Sequence, residues 1–365
     1  MTSGEPHLPD ARWRTVVVAL IVVLGITLSL TFFFRVRMFE QINLQSEFSQ
    51  RATAGATAIQ HGVQEHLEVL YNLGAVYTAT SRPLDREVFR ELTKGPLKRY
   101  PGVQGLGWIP RVLGAEREAY LAAAQKDGIV DFEITEWTPR WQVVRAARRV
   151  VYYPIFYIEP LESHRVTLGF NLGSVPSYME AMQKALSTGD AVASAWHSLA
   201  QETGEQFGFL LFLPIYKSGA PHGTFEERRG SLQGFTMAIF PLRTLVEKSL
   251  QGMGLGNMGL DLSDVTDAAS RYLLSLQFYA SRMSSWTFLL RQSAKTEAIR
   301  AGLHWEMTFN VVGRKWSVLF YPIPEARNTH SWQAWSVLVG GLLFTLLCAG
   351  FLRKGSVANF RVWTI

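Results

Sequence analysis

Two uninterrupted apolar runs lie near the two ends of the chain. Residues 15–34 read TVVVALIVVLGITLSLTFFF and residues 332–352 read WQAWSVLVGGLLFTLLCAGFL, and neither run contains a charged side chain. At about 1.5 Å per residue, a helix of about 20 residues crosses the roughly 30 Å hydrocarbon core of a bilayer. Neither run has the polar face that a helix at the surface of a soluble domain would have. The pattern therefore predicts two transmembrane helices, 15–34 and 332–352.

A cleaved signal peptide is the alternative for the first run. Signal peptides have an apolar region of about 7 to 15 residues and a cleavage site with small residues. The run here is longer, and no such site precedes FFFRVRMF at residues 32–39. We therefore expect a retained membrane helix.

Basic residues near both runs set the expected orientation. Arginines lie on both sides of the first run, whereas Arg353 and Lys354 follow the second run. Lys and Arg favour the cytoplasmic side of a membrane helix. We expect residues 1–14 and the tail 353–365 to be cytoplasmic and the region between the runs to be extracytoplasmic. The chain would then be a multi-pass protein of the inner (plasma) membrane.

Apolar positions recur every seven residues in the stretch that follows the first run. They form two neighbouring rows, as on one side of a long helix continuous with the membrane helix. Such a stripe either packs on the helix's own domain or pairs with the same helix of a second copy, and both can hold. We expect a stalk helix over 35–82 that pairs in a homodimer. The predicted dimer contacts are Ala56, Val63 and Leu70.

Beyond Pro83, short strand and helix patterns alternate. VQGLGWIPRV and FGFLLFLPIY have the apolar character of strands, whereas EREAYLAAAQKDG and PSYMEAMQKALSTG have helical spacing and end at glycine. GFTMAIFPLRTLVEKSL predicts a strand and then a helix, and a hairpin around VGRK follows later in the chain. The alternation predicts an α+β fold with a membrane-distal unit, 83–233, and a membrane-proximal unit, 234–330.

Composition narrows the class of partner. The chain has 365 residues, of which 48% are apolar, and a formal net charge of +6. Arginines next to the apolar runs account for much of this mild excess and no basic face is clustered, so we expect no nucleic-acid partner. The single cysteine, Cys348, lies in the second run. The region between the runs therefore folds without disulfides.

Motifs of common catalytic sites are missing from the sequence. It contains no G-x-x-x-x-G-K-[ST], H-E-x-x-H or G-x-S-x-G, which would indicate a nucleotide site, a zinc protease or a serine hydrolase. His61 and His66 are five residues apart and so lie on different faces of a helix, which disfavours a zinc site. We expect no cofactor, no metal and no enzymatic activity. The alternative is a membrane-tethered enzyme that uses Glu159 as its acid or base.

Six motifs occur in an order that resembles the CHASE family. They are RYPGVQGLGWIPRV (99–112), ER (116–117), YYPIFYIEP (152–160), LGFNLGSVP (168–176), ALSTGDAVAS (185–194) and GFLLFLPIYKSG (208–219). That family comprises extracytoplasmic sensor domains between two membrane helices, in bacterial receptor histidine kinases and diguanylate cyclases and in plant cytokinin receptors. The resemblance covers roughly residues 40–330. It implies a long N-terminal helix, two PAS-like units in tandem, a small-molecule ligand in the distal unit and dimerisation through the long helices.

Three positions depart from the family pattern. Asn171 stands where many members have aspartate, and Tyr178 stands where an arginine is common. Val150 best matches the aspartate that anchors the adenine ring in the plant receptors. A valine side chain cannot accept those hydrogen bonds. The resemblance therefore implies a sensor without implying cytokinin as its ligand.

The aromatic stretch YYPIFYIEP resembles the central strand of the distal sheet, whose rings line a small-molecule pocket in the family. Rings on a concave sheet supply apolar contact area at low entropy cost, and a few polar groups orient the ligand. Because successive residues of a strand face opposite sides, about half of any such set faces the core or the surface. The candidate ligand contacts are Trp108, Tyr152, Tyr153, Phe156, Phe170, Asn171, Ser194 and Leu211.

The residues after the second run are RKGSVANFRVWTI. Members of the family continue into a cytoplasmic kinase, cyclase or similar output domain. We therefore expect the output to lie outside this sequence, either in a longer parent protein, such as a histidine kinase or diguanylate cyclase, or in a partner protein.

Overall fold

The computed structural model describes residues 11–79, 84–140, 142–199, 206–255, 258–266, 272–279, 282–290, 299–323 and 332–358. Parts of the predicted N-terminus, stalk end, proximal unit and tail, at 1–10, 80–83, 324–331 and 359–365, lie outside the described residues. Contacts divide the chain into two compact units. The terminal unit is Met1–Gln50 with Pro324–Ile365, and the central unit is Arg51–Ile323.

The described residues form a mixed helix and sheet structure. The helices are α1 (Ala11–Ala79), α2 (Arg86–Arg99), α3 (Arg117–Lys126), α4 (Leu161–His164), α5 (Pro176–Thr188), α6 (Phe225–Ser231), α7 (Leu242–Leu250) and α8 (Trp332–Ala358). The strands are β1 (Gly105–Pro110), β2 (Val112–Leu113), β3 (Thr135–Trp137), β4 (Val143–Arg145), β5 (Val151–Tyr152), β6 (Tyr157–Glu159), β7 (Val192–Ala193), β8 (His197–Leu199), β9 (Gln206–Tyr216), β10 (Leu232–Pro241), β11 (Met258–Asp264), β12 (Tyr272–Tyr279), β13 (Arg282–Leu290), β14 (Trp305–Val311) and β15 (Arg314–Pro322).

The terminal unit packs the first part of α1 against α8 through small residues. Gly25 lies against Thr345, and Gly341 lies against Ser29, so closely that a Cβ on either glycine would overlap the opposite side chain. The four-residue spacing in each helix keeps these residues on one face. Both helices are long and apolar enough to cross a membrane. Large apolar side chains point away from the contact and are exposed, among them Val23, Leu24, Phe344 and Leu347.

The first sheet of the central unit is antiparallel. Among the described residues its order is β6-β1-β10-β9-β7, and β8 also pairs with β9. β10 lies between β1 and β9, with Thr236 opposite Trp108 and Ala238 opposite Leu211. The predicted boundary between 83–233 and 234–330 is therefore wrong. Sequence pattern identified the strand at 234, but the hydrogen bonds of its neighbours place it in the first sheet.

The inner face of the first sheet is covered by α5. Tyr178, Met182 and Ala185 pack there against Phe212 and Phe235 in one apolar core. α5 begins with a proline, whose fixed φ suits a first helical turn, and ends at a glycine with φ 83°. β9 is buried on both faces, which explains why its sequence is almost wholly apolar.

The second sheet is also antiparallel, with the order β13-β12-β11-β15-β14 among the described residues. The predicted hairpin is confirmed as β14 and β15, with Trp305 opposite Phe320 and Val311 opposite Arg314. In each sheet, the strand that comes first in the sequence lies beside the strand that comes last: β1 beside β10, and β11 beside β15. The second strand in sequence, β6 or β12, lies on the other side of the first strand, and the last but one, β9 or β14, lies on the other side of the last strand. The central unit thus repeats one core strand order.

The second part of α1 packs against both sheets of the central unit. A Cβ on Gly74 would lie 2.8 Å from Leu213 of β9, and a Cβ on Gly55 would lie 2.8 Å from Phe320 of β15. Only residues without a side chain allow a helix to approach other side chains so closely. α1 therefore covers the outer face of the first sheet and continues to the second sheet.

The heptad stripe of α1 is buried inside the single chain. The exposed fractions of Ala56, Val63 and Leu70 are 0%, 3% and 0%. These side chains are not available to a second copy, so their assignment as dimer contacts is wrong. The other interpretation, a stripe packed on its own domain, is the one that the structure shows. The spacing of apolar residues indicates which face of a helix is buried, but it does not indicate which partner covers that face.

The two sheets meet where the β14–β15 turn contacts α5 and β7. The Ala193 N–H donates to the Val312 carbonyl at 2.9 Å, and the Lys184 ammonium donates to the Gly313 carbonyl at 2.7 Å. Val312 has φ 46°, which is an outlier for a β-branched residue. Such backbone costs about 1–3 kcal/mol and persists where surrounding contacts determine it. We call this contact region the joint.

Aromatic rings pack around the joint. The buried ring of Trp316 in β15 makes edge contacts with Trp196 and Phe209, at centroid distances of 5.3 and 5.1 Å. His197 follows in β8. Burial, aided by the neighbouring Arg314, lowers the pKa of His197 to about 4. The imidazole is therefore neutral at neutral pH.

The lowered pKa of His197 predicts acid sensitivity. With a usual pKa of 6.5, lowered to about 4 by folding, the unfolded chain binds the proton more tightly. The stabilisation is complete above about pH 6.5 and is lost as the pH falls towards about 4, by up to about 3 kcal/mol. Thermal unfolding from pH 7.5 to 4.5 should show a steeper loss of stability for the wild type than for His197→Gln. Identical pH profiles for the two proteins would contradict the assignment.

Candidate functional site

A cavity of about 190 Å³ lies on the inner face of the first sheet. Its sheet wall is formed by Leu210 of β9 with Met237 and Ile239 of β10. These residues alternate along their strands with residues that face α1, so the sheet divides its side chains between the cavity and the long helix. Further apolar lining comes from the segments between strands and from β8, with Ile155, Leu172 and Leu199.

Aromatic and aliphatic side chains form the outer part of the cavity. Trp137 at the end of β3 lies against Phe170, with ring centroids 4.4 Å apart. The Asn171 N–H donates to the Thr135 carbonyl at 2.8 Å, which holds the Phe170 segment beside β3. Val143 and Val166 also line the cavity and are 60% and 70% exposed. They mark its opening to solvent.

Two polar groups in the cavity lining lack hydrogen-bond partners among the described residues. They are Oε1 of Gln104 and Nε2 of His164, and both atoms are buried. The other ring nitrogen of His164, Nδ1, lies 3.0 Å from the Pro160 carbonyl. Burial lowers the pKa of His164 below its usual value, although this carbonyl and Glu159 act in the opposite direction. Orphaned buried polar atoms are uncommon in proteins and often mark functional sites.

Tyr178 of α5 contributes a ring to the cavity and connects it to the joint. Burial raises the pKa of Tyr178 to about 12, so its phenol stays protonated at neutral pH. On its other side the ring meets His197 at a centroid distance of 4.7 Å. The Ser177 hydroxyl lies 2.9 Å from His197 Nε2. The cavity wall and the joint therefore share side chains.

Of the eight candidate ligand contacts, Phe170 lies in the cavity lining. Trp108 faces the opposite side of the sheet, where its ring stacks on Tyr77 of α1 at 4.2 Å. Leu211 alternates with Leu210 and is fully buried away from the cavity. Strand alternation alone assigns these two residues to the other face.

The remaining candidates have structural contacts instead. The Tyr152 hydroxyl donates to the Ala147 carbonyl and accepts from the Arg149 N–H, both at 2.8 Å. Phe156 packs against other rings near α3. The Ser194 hydroxyl donates to the Ala195 carbonyl and accepts from the Leu210 N–H. Tyr153 lies outside the lining, and its N–H donates to Oδ1 of Asn171 at 2.9 Å.

The expected central strand is also different in the structure. YYPIFYIEP forms β5, which pairs with β2, and β6, which is an edge strand of the first sheet. β5 and β6 are separated by Tyr153 to Phe156, and the proline at 154 interrupts the run. Its rings therefore diverge to different cores.

Most cavity residues carried no sequence signal. Met237 and Ile239 were assigned to the wrong unit, and nothing local distinguishes Leu199 from any other apolar residue of a strand. His164 follows the aromatic stretch directly, within four residues of Pro160. Its proximity to that stretch was the one available indication.

Among the described lining residues none is Asp, Glu, Lys, Arg or Cys. Glu159 lies outside the lining, and its Oε2 accepts the Leu161 N–H at 3.1 Å. The described residues hold no cluster of metal-ligating side chains.

Comparison with known proteins gives one curated relative and several solved structures. Hybrid signal transduction histidine kinase A of Dictyostelium discoideum is 23% identical over 343 residues, which cover 89% of this chain and 15% of that protein. The periplasmic sensory domain of the Campylobacter jejuni chemoreceptor Tlp1 has a TM-score of 0.49 at 8% identity, over 80% of this chain and 99% of that one. The ligand-binding domain of the Pseudomonas aeruginosa PAO1 amino acid chemoreceptor PctC, in complex with GABA, has a TM-score of 0.41 at 13% identity, over 76% of this chain and 98% of that one.

The comparison with protein families gives the type of domain. A sequence profile of the CHASE domain matches residues 83–274, which is more than half of the chain. The matched residues include the whole first sheet and every residue of the cavity lining. The chain therefore belongs to the CHASE-domain family of receptor sensors.

Proposed function

We propose that this chain is the extracytoplasmic sensor region of a membrane receptor and that a small molecule bound in the cavity is its stimulus. The observation that carries the proposal is an apolar cavity of about 190 Å³ with two buried, unpartnered polar atoms among the described residues. Leaving a buried polar group unpaired costs about 1–3 kcal/mol. A ligand that pairs these groups recovers that free energy. In this proposal the chain binds and does not catalyse.

Two PAS-like domains in tandem account for the architecture of the central unit. The repeated core strand order of the two sheets supports this proposal. The domain with the cavity is then the membrane-distal one. Because β10 belongs to the first sheet and α7 follows it directly, we place the domain boundary after α7, near residues 251–257.

Two membrane spans, at 15–34 and 332–352, complete the proposed arrangement in the inner (plasma) membrane. The support is the inverted packing of the terminal unit, with small residues between the helices and large apolar side chains exposed. In water such exposure is unfavourable, whereas in lipid small residues at helix contacts are the usual arrangement. Both chain ends are then cytoplasmic.

Topology reporters test this arrangement. Fusion after Lys354 should give activity only with a cytoplasmic reporter, and insertion at the exposed turn of Gly219 only with an extracytoplasmic one. The reason is that two spans return the chain to its starting side. A cytoplasmic signal from the Gly219 insertion would exclude the proposed topology.

Ligand binding would reach the second sheet through the joint. Tyr178 and Leu199 line the cavity, and Lys184 and Ala193, on the same or neighbouring elements, hold the β14–β15 turn. A ligand shifts the equilibrium between two conformations only by the difference in its affinities for them. A tenfold preference for one conformation corresponds to a free-energy difference of about 1.4 kcal/mol. We propose that binding moves α5 and β8 and that the turn passes this movement to β15.

Blocking the opening tests the sensor proposal. A library of small metabolites is screened by thermal shift on the purified full chain. At least one compound should stabilise the wild type and should lose at least tenfold in affinity on Val166→Trp, because the indole fills the mouth of the cavity. The same compound should change hydrogen exchange of the Val312–Gly313 amides in the wild type.

The matched control is Val130→Trp. Val130 is 75% exposed and lies outside the cavity lining, so this variant should bind as the wild type does. If no compound stabilises the wild type, or if Val166→Trp binds as well as Val130→Trp, the cavity is not the sensory site.

Homodimerisation remains part of the proposal, through the other side of α1. Thr57, Gln64 and Tyr71 are exposed and spaced by seven residues, as a contact between two parallel helices requires. In membranes, Gln64→Cys should therefore cross-link two copies on oxidation, whereas the buried Val63→Cys should not. Equal cross-linking at both positions, or none at Gln64, would leave this contact without support.

The output of the receptor is proposed from the curated relative. That protein is named a hybrid signal transduction histidine kinase, and this chain corresponds to 15% of its length. We propose that the sensor controls a cytoplasmic output such as a histidine kinase or a diguanylate cyclase, in the same polypeptide or in a partner protein. Phosphotransfer or cyclic dinucleotide synthesis that responds to the stabilising compound in a reconstituted receptor would test this step.

A further inference from the structure

We infer that the cavity selects a small, uncharged, mainly apolar molecule that carries an N–H or O–H donor, and that His164 Nε2 and Gln104 Oε1 accept from this donor. The inference rests on the proposed sensor function and adds the chemical class of the ligand. It follows from the tautomer of one histidine, the packing that holds it, and the charges that the lining lacks.

The tautomer of His164 determines what its free nitrogen can do. A carbonyl oxygen only accepts hydrogen bonds, so Nδ1, which lies 3.0 Å from the Pro160 carbonyl, must carry the proton. In the neutral ring Nε2 is then a lone-pair acceptor. His164 is 3% exposed, and burial of its ring favours this neutral form. The ring of this lining residue therefore carries an acceptor where a protonated histidine would carry a donor.

The His164 ring packs against the start of β1. A Cβ on Gly105 would lie 3.2 Å from Cε1 of His164 and 3.2 Å from Cδ1 of Ile239. The ring therefore lies directly against the start of β1, in a space that a larger residue at 105 would occupy. Its orientation is thus set by β1 on one side and by the Pro160 carbonyl on the other.

Gln104 supplies the second acceptor. It precedes Gly105, and its N–H donates to the Ile239 carbonyl at 2.8 Å, which fixes its backbone to the sheet. Its Oε1 is buried and has no hydrogen-bond partner among the described residues. Two residues of the cavity lining thus carry unsatisfied acceptors among the described residues. The Thr167 hydroxyl, which also lines the cavity, donates to the His164 carbonyl and does not serve them.

The described residues of the lining carry no charged side chain that would favour an ionic ligand. No Lys or Arg occurs among the described lining residues, so a carboxylate or phosphate would lose its hydration without a countercharge. Glu159, which interacts with His164 from outside the lining, adds repulsion for an anion. An ammonium group would find no carboxylate among the described lining residues either. A neutral donor on an apolar body, placed among Trp137, Phe170 and Tyr178, meets these conditions.

Matched pairs of aromatic probes test the inference on the full chain in lipid nanodiscs. Indole and indene share shape, and indene lacks the N–H group; phenol and toluene differ likewise in the O–H group. A purely apolar cavity would prefer indene and toluene, which are less well hydrated. With two acceptors, the wild type should prefer indole and phenol by about tenfold, measured by calorimetry, because each hydrogen bond adds about 0.5–1.5 kcal/mol.

The variants His164→Phe and Gln104→Met replace each acceptor by an apolar side chain of similar shape. Each should reduce the donor preference, and together they should abolish or reverse it while indene and toluene still bind. His222→Phe, at an exposed histidine outside the lining, should keep the wild-type preference. This comparison within each protein makes the result independent of small changes in stability.

Each other result overturns the inference. If both members of a pair bind, lose affinity on Val166→Trp and show no donor preference in the wild type, the cavity is a binding site but not a donor-selective one, and the sensor proposal stands. If neither pair binds at millimolar concentration, this ligand class is wrong, and the metabolite screen on the cavity decides the sensor proposal separately.

Discussion

The close approach of α1 to both sheets is the constraint on which the rest of the central unit depends. Glycines at positions 55 and 74 remove the side chains that would keep the helix away from Phe320 and Leu213. From Arg51 to Ala79 the helix extends over about 40 Å, so one rigid element contacts two sheets that pair no strands with each other. With the outer face of the first sheet covered in this way, the open space forms on the inner face, between β9, β10 and the segments that cross them.

The joint adds a second, smaller link between the sheets. It consists of one tight turn with a backbone conformation that valine rarely adopts, two hydrogen bonds to its carbonyls and a buried tryptophan. A contact of this kind is stable only while α5 and β7 keep their positions, because the strain at Val312 is offset by those elements. Tyr178 contacts His197 and also forms part of the cavity wall, so the region around the joint extends to the cavity. Ligand binding in the cavity and the contact between the two sheets therefore involve the same side chains.

The cavity shows how stability and recognition compete in this fold. An apolar core would be most stable if the space were filled and if His164 and Gln104 were replaced by apolar residues. Among the described residues, the chain instead leaves two acceptors of the cavity lining without hydrogen-bond partners. The remaining core under α5 offsets this loss of stability. There Met182, Phe212 and Phe235 are each at most 1% exposed.

The sequence by itself determined the elements that depend on local patterns. Charge-free runs, helix ends at proline and glycine, the β14–β15 alternation and the buried stripe of α1 were all readable, because period, capping and turn chemistry act between near neighbours. The six ordered motifs likewise indicated the family. Only the tertiary structure decided what each surface contacts. It placed β10 in the first sheet, turned Trp108 and Leu211 towards α1, covered Val63 and Leu70 within one chain, and brought Gln104 and His164 to one cavity. These outcomes depend on contacts between residues far apart in the sequence, and at the strand positions a one-residue change of register would reverse the face.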